Sequence, residues 1–125
     1  DLIEEKGGID FMLVGVGMNG HIGFNEPGTP FDVKSHIIDL DEITKNVGQK
    51  YFSEAKKLEK GITIGLGHLL NSKTVIVQAN GIKKAEIINR TVNDDINESL
   101  PSSVIRLHTN GYLVLDHAAA SLIEE

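Results

Sequence analysis

Short apolar runs alternating with helix-patterned stretches constrain this chain more than any other feature. Thr74-Val75-Ile76-Val77-Gln78-Ala79 is the clearest strand, and Ile9-Asp10-Phe11-Met12-Leu13-Val14-Gly15 reads as a buried strand after Gly7-Gly8. Tyr112-Leu113-Val114-Leu115-Asp116 reads as a last strand, and Gly61-Ile62-Thr63-Ile64-Gly65-Leu66-Gly67 as a brief one leading into a helical turn over residues 68–71. Residues 33–40 are a less apolar strand candidate. Ile43, Val47 and Tyr51 recur at helical spacing and predict a helix from Asp41 or Glu42 through Phe52. Gly48 costs that helix about 1 kcal/mol against alanine. Ile82, Ala85, Ile88 and Val92 predict a second helix over residues 82–92. Residues 102–107 behind Pro101 predict a short helix, residues 118–125 a closing helix, and residues 1–6 the end of a charged helix. Strands that are apolar throughout, separated by helices, indicate an α/β fold, layered α/β/α with a mainly parallel, Rossmann-like sheet.

Composition narrows the function classes. The 125 residues suit one domain. Twelve Lys and Arg against eighteen Asp and Glu leave a net charge of −6, which offers no general attraction for nucleic acid or anionic membranes. An anionic substrate must therefore be held by local groups. The absence of cysteine excludes thiolate nucleophiles, disulfides and Cys-ligated metals, and fits a reducing cytoplasm. No apolar stretch approaches the roughly 20 residues that span a bilayer. A start without methionine suggests that the natural polypeptide extends upstream.

The richest segment is the loop after the first strand. Gly15-Val16-Gly17-Met18-Asn19-Gly20 matches the G-x-G-x-x-G pattern, with Asp39 and Asp41 roughly twenty residues on, as in a dinucleotide-binding fingerprint. That mechanism needs a helix to begin within the glycines, so that its N-terminus meets the pyrophosphate. The continuation His21-Ile22-Gly23-Phe24-Asn25-Glu26-Pro27-Gly28-Thr29-Pro30 is too rich in Pro and Gly for one. What the loop offers instead is Asn19, His21, Asn25 and Glu26 at the C-terminal end of a strand, where open α/β sheets place ligands. A histidine exchanges protons near neutrality, and a carboxylate such as Glu26 can fix its tautomer. Polar loop residues also satisfy backbone groups, and spacing alone does not choose between the two roles.

The run from Gly15 to Gly28 resembles the signature of the glucosamine-6-phosphate deaminase/isomerase family, which includes galactosamine-6-phosphate isomerases. The resemblance continues through Gly61-Ile62-Thr63-Ile64-Gly65-Leu66-Gly67 and Gly81-Ile82-Lys83-Lys84-Ala85, and is looser over residues 32–60. It implies a sugar-phosphate isomerase/deaminase fold of which residues 1–125 are a single domain forming the C-terminal portion. It also implies ring opening of an aminosugar 6-phosphate, proton transfer between C2 and C1, and loss of ammonia to give fructose 6-phosphate. His21 would be the acid/base that opens the ring, supported by Glu26. Asn19 departs from the aspartate of the best-known motif, keeping an acceptor but dropping the charge. Gly17 and Gly20 would let substrate approach the backbone.

The phosphate needs cations. Lys83 and Lys84 open a predicted helix, where positive charge is disfavoured by roughly 0.3–1 kcal/mol unless an anion joins it. By resemblance Lys84 is the phosphate lysine and Lys83 a bystander. Lys50 falls where relatives often carry an arginine, and supplies charge without the bidentate fork. His36, His68, His108 and His117 carry no assigned chemistry. No spacing resembles a metal site, and the family implies no metal or organic cofactor. The proton-abstracting aspartate and the phosphate loop of the family's N-terminal half have no counterpart here. Galactosamine 6-phosphate is the rival substrate. Related 6-phosphogluconolactonases lack the Phe24-Asn25-Glu26-Pro27 continuation, and a non-catalytic sugar-phosphate sensor is disfavoured by the presence of both His21 and Glu26. The implied partner is a small aminosugar phosphate, with a homo-oligomer left open.

Overall fold

The computed structural model describes residues 1–39 and 60–123. The helix predicted from Asp41 or Glu42 to Phe52, and Lys50 with it, lies outside the described residues. Three strands form a parallel sheet in the order β1 (Phe11–Val14), β4 (Thr74–Ala79), β5 (Gly111–Leu115). Phe11 pairs with Thr74 and Val14 with Val77, while Val75 pairs with Gly111 and Ala79 with Leu115. β2 (His36–Asp39) and β3 (Lys60–Thr63) make a separate antiparallel pair. This is the expected α/β class with a mainly parallel sheet.

The apolar runs form these elements because they bury one face against helices. Met12, Val75, Val77 and Ala79 point to a core completed by Leu66 and Leu69 of α2 (Leu66–Asn71) and Ile87 and Ile88 of α3 (Ala85–Asn93). Val104 and Ile105, on a 3-10 helix over Pro101–Leu107, close it. Burying each such side chain stabilises the fold by about 1.5–3 kcal/mol. The opposite face is bare among the described residues: Phe11, Leu13, Tyr112 and Val114 are all about half exposed or more. The reading of β1 as a buried strand therefore holds for Met12 but not for Phe11 and Leu13, because the described helices of the core gather on the other side.

Local hydrogen bonds explain the remaining differences. The predicted helix over residues 82–92 begins as a 3-10 turn, Ile82–Lys84, because Gly81 at φ +91° redirects the chain and its carbonyl accepts from Lys84 N–H at 3.1 Å. The helix predicted over residues 102–107 is likewise 3-10, with Ser103 N–H donating to Leu100 O at 3.0 Å. No closing helix forms over residues 118–123. There the chain runs as turns, with Asp116 Oδ1 accepting from the Ala119 N–H at 2.8 Å as an N-cap residue would. At the other end α1 (Leu2–Glu5) is a short helix in the charged opening segment, with Asp1 Oδ1 accepting from Ile3 N–H at 2.8 Å.

β1 and β4 are parallel neighbours, so the loop after Val14 and the turn after Ala79 leave the sheet at the same, carboxyl end. That shared end brings the glycine-rich loop and the lysine turn together.

Candidate functional site

The loop after β1 is built around its glycines. Gly17 N–H donates to His21 O at 2.8 Å and Gly20 N–H to Gly17 O at 2.9 Å, which folds residues 17–21 into a tight turn. The imidazole of His21 then lies against the Gly17 Cα, where a Cβ would come within 2.0–2.3 Å of three ring atoms. Only glycine seats the ring there. No helix starts within the glycines, so the dinucleotide pattern is a coincidence of spacing.

Asn19 is the link between Glu26 and His21. Its Nδ2 donates to Glu26 Oε2 at 2.9 Å, and its Oδ1 lies 2.8 Å from His21 Nδ1 while accepting the His21 backbone N–H at 3.0 Å. An ionised carboxylate only accepts, so Glu26 fixes which way the amide points, NH₂ toward itself and oxygen toward the ring. Facing an acceptor, Nδ1 must carry the ring proton of neutral His21, which leaves the lone pair on Nε2. Glu26 Oε2 itself is 3.7 Å from His21 Nδ1, too far for a hydrogen bond, so its support runs through Asn19.

His21, Gly15, Val16, Gly17, Gly23 and Lys84 line one pocket of about 330 Å³. Lys84 Nζ donates to Val16 O at 2.5 Å, across 68 residues of sequence. The predicted catalytic histidine, the predicted phosphate lysine and Gly17 thus meet, with Asn19 and Glu26 behind the ring. Gly20 does not line the pocket. It is buried at φ +90°, and a Cβ there would meet Leu100 Cδ1 at 2.7 Å, so it serves the loop's packing. Lys83 is exposed and lines no part of this pocket. Lys50 lies outside the described residues.

Several residues that hold the site were not singled out from sequence. Asp116 enters the sequence reading only as the last residue of a strand run. Both its carboxylate oxygens lie 3.1 Å from Gly81 N–H, and so it anchors the turn that carries Lys84. The hydrogen bonds from Ala119 and Gly81 hold its carboxyl below the usual carboxylate range. Glu98 holds the far end of the loop, its Oε2 accepting from Phe31 N–H at 2.7 Å and its carbonyl from Gly28 N–H at 2.9 Å. Ser102 N–H donates to Gly20 O at 2.9 Å. Each contact spans dozens of residues, and no local pattern encodes it. Asn25, one of the polar candidates, is 1% exposed and donates to Ile22 O and Ile64 O, which makes it a structural brace.

The other histidines are engaged elsewhere. Buried His68 meets Asp1 Oδ2 at 3.0 Å, His108 Nε2 meets Ser72 O at 2.6 Å, and His36 Nδ1 meets Lys34 O at 2.8 Å. Among the described residues no group of three His, Asp or Glu side chains is placed to hold a metal ion, and no helix is long and apolar enough to cross a membrane.

Comparison with known proteins agrees with this geometry. The family model described as glucosamine-6-phosphate isomerases/6-phosphogluconolactonase matches residues 2–115. A glucosamine-6-phosphate deaminase of Thermoanaerobacter pseudethanolicus is 40% identical over 124 residues, covering 98% of this chain and 49% of the relative. A solved structure of a monomeric glucosamine-6-phosphate deaminase superposes with a TM-score of 0.85 at 37% identity, over 97% of this chain and 51% of that one. The 6-phosphogluconolactonase of Trypanosoma brucei shares the fold, with a TM-score of 0.68 at 20% identity, over 98% of this chain and 46% of that one. The chain spans about half the length of the curated relatives it matches.

Proposed function

Because the chain belongs to the glucosamine-6-phosphate isomerase/6-phosphogluconolactonase family, we propose that it is the histidine-bearing portion of a domain that isomerises and deaminates glucosamine 6-phosphate. Water is the co-reactant that replaces the amino group, and the products are fructose 6-phosphate and ammonia. The observation that carries this reading is the His21 ring, held by Asn19 on Nδ1 and sharing a pocket with Lys84.

Ring opening needs a group that takes a proton from the anomeric hydroxyl and returns it to the ring oxygen near neutral pH. His21 Nε2 fills that role, while Asn19 Oδ1 fixes the tautomer and Glu26 fixes Asn19. Lys84 meets the substrate's phosphate, exchanging its bond to Val16 O for the stronger charge-assisted one. Lys50 is proposed as a second phosphate cation. Gly17 gives the ring its seat, and Gly20 sets the turn. Residues 1–125 act as the C-terminal portion of the domain. The base that abstracts the C2 proton and the phosphate loop belong to the part that relatives carry in addition. A cytoplasmic setting fits a chain without cysteine, with an aminosugar phosphate as the small-molecule partner and a homo-oligomer left open.

The Phe24-Asn25-Glu26-Pro27 continuation supports deamination over lactone hydrolysis, since Glu26 is the residue that orients Asn19. The test is ammonia release by a chimera in which this chain replaces the matching portion of the Thermoanaerobacter pseudethanolicus deaminase. Glucosamine 6-phosphate and galactosamine 6-phosphate are supplied in parallel. Release from glucosamine 6-phosphate that disappears with His21→Gln supports the assignment. Faster release from galactosamine 6-phosphate would rename the substrate, and release from neither, by a folded chimera, would refute deamination.

A further inference from the structure

The dipeptide Asn-Gly occurs three times in this chain, at residues 19–20, 80–81 and 110–111. In each the glycine nitrogen is unhindered by a side chain, and it can attack the amide carbon of the asparagine before it. The structure treats the three differently. Asn19 is held at both ends of its amide: Nδ2 donates to Glu26 Oε2 at 2.9 Å, and Oδ1 accepts the His21 N–H at 3.0 Å. Asn110 is held likewise, with Nδ2 donating to Thr74 Oγ1 at 2.8 Å and to Lys73 O at 3.2 Å, and Oδ1 accepting from the Tyr112 hydroxyl at 3.0 Å. Asn80 is exposed in the connection after β4, and its side chain makes no hydrogen bond among the described residues. Its amide is free to turn toward Gly81. The partner of the attacking nitrogen differs too. Gly20 N–H is bonded to the Gly17 carbonyl at 2.9 Å, which takes no proton, whereas Gly81 N–H lies 3.1 Å from both oxygens of the Asp116 carboxylate, which does.

We infer that Asn80 is a site of spontaneous deamidation, and that its conversion loosens the turn carrying Lys84. As the Gly81 N–H passes its proton to Asp116, the nitrogen bonds to Asn80 Cγ, the Cγ–Nδ2 bond breaks, and ammonia leaves with that proton. Water then opens the cyclic imide at either of its carbonyls. Aspartate results from one opening, and isoaspartate, whose main chain runs through Cβ, from the other. Either product disturbs the same anchor. Aspartate sets a second negative charge one residue from the N–H that Asp116 holds, and isoaspartate adds a methylene to the main chain there. Gly81 O accepts from Lys84 N–H at 3.1 Å, so a displaced Gly81 carries the lysine with it. Asn19 stays intact because the hydrogen bonds that orient the His21 ring also immobilise its amide. The inference rests on the geometry of the three dipeptides and not on the proposed activity.

The test is peptide mapping by mass spectrometry during incubation at neutral pH, on the full-length chimera and on the 125-residue chain in parallel. Hydrogen bonds must break before a pinned amide can react, so Asn80 is expected to convert at least about tenfold faster than Asn19 or Asn110. In concentrated urea, where those contacts are gone, the three are expected to convert at comparable rates. Conversion of Asn80 no faster than that of the other two in the folded protein would overturn the proposal. So would the same ranking in urea, since the neighbouring residues and not the fold would then select the site. Hydrogen exchange of the Gly81 and Lys84 amides reads the consequence. It is expected to be severalfold faster in converted protein, and unchanged in Asn80→Ser incubated alongside. Equal exchange before and after conversion would overturn the coupling to Lys84. No outcome depends on catalysis, so failure here is distinguishable from failure of the deaminase reading.

Discussion

The two faces of the β1–β4–β5 sheet carry side chains of the same apolar kind and opposite fates. On the inner face Val75 and Val77 are fully buried, whereas on the outer face Leu13 is 57% exposed and Tyr112 53%. Residue type alone therefore does not say which face is finished; the presence of a packed partner does. The inner face has its helices within the described residues, and the loop bearing His21 is anchored on that side through Ser102 and Glu98. The outer face has no such cover among the described residues.

The comparison breaks most readily under truncation of matched leucines. In the 125-residue chain Leu66→Ala, at a fully buried position, is expected to cost about 2–5 kcal/mol of stability. Leu13→Ala on the bare face is expected to cost under about 0.5 kcal/mol. Urea unfolding measures both, and comparable losses would mean that the outer face is covered after all.

A smaller and more local effect is expected at the site. Gly17→Ala drives a methyl into the His21 ring, while Gly15→Ala meets nothing nearer than Gln78 O at 3.9 Å. In the full-length chimera, Gly17→Ala is expected to lower kcat for ammonia release by about 100-fold, as misplacement of a reacting group by an ångström does. Gly15→Ala is expected to leave kcat within about twofold, in keeping with the small effects of substitutions that disturb no packing. Similar losses from both would show that the loop does not seat His21 as described.

The subtlest test concerns the turn that carries Lys84. Asp116 has its carboxyl held below the usual value of 3.8 by hydrogen bonds from Ala119 and Gly81. A carboxylate favoured in the folded state stabilises fully above its unfolded pKa and loses that contribution as pH falls through its folded pKa. The gap in urea midpoint between the unsubstituted chain and Asp116→Asn is therefore expected to be constant above about pH 5 and to shrink at more acid pH. A gap that widens on acidification would reverse the assignment.

Much of this was legible in the residues because it is local. The strand over Thr74–Ala79 has apolar β-branched residues in continuous run and forms with the expected bounds. His21, Asn19 and Glu26 sit within eight positions of one another on a loop whose glycines and prolines forbid a helix, and they do meet. Lys84 reaches them because β1 and β4 are parallel neighbours, as continuous apolar strands imply. The end of the chain looked helical from its Ala118-Ala119-Ala120 run, yet residues 118–123 form turns. What else was hidden depends on distant partners. Glu98 and Asp116 were not singled out from the sequence, and only the folded chain sets them against Phe31 and Gly81. The bare face of β1 was hidden for the opposite reason, since its apolar residues read as buried whether or not their cover is present.

The proposed chemistry of His21 turns on a single proton. ¹⁵N NMR of the His21 imidazole at a pH where the ring is neutral reports which nitrogen bears it. The hydrogen-bond chain from Glu26 through Asn19 predicts a proton on Nδ1 and a lone pair on Nε2, with that preference lost in Asn19→Ala. A proton found on Nε2 in the unsubstituted chain would contradict it, because the lone pair would then sit on Nδ1, against Asn19 Oδ1.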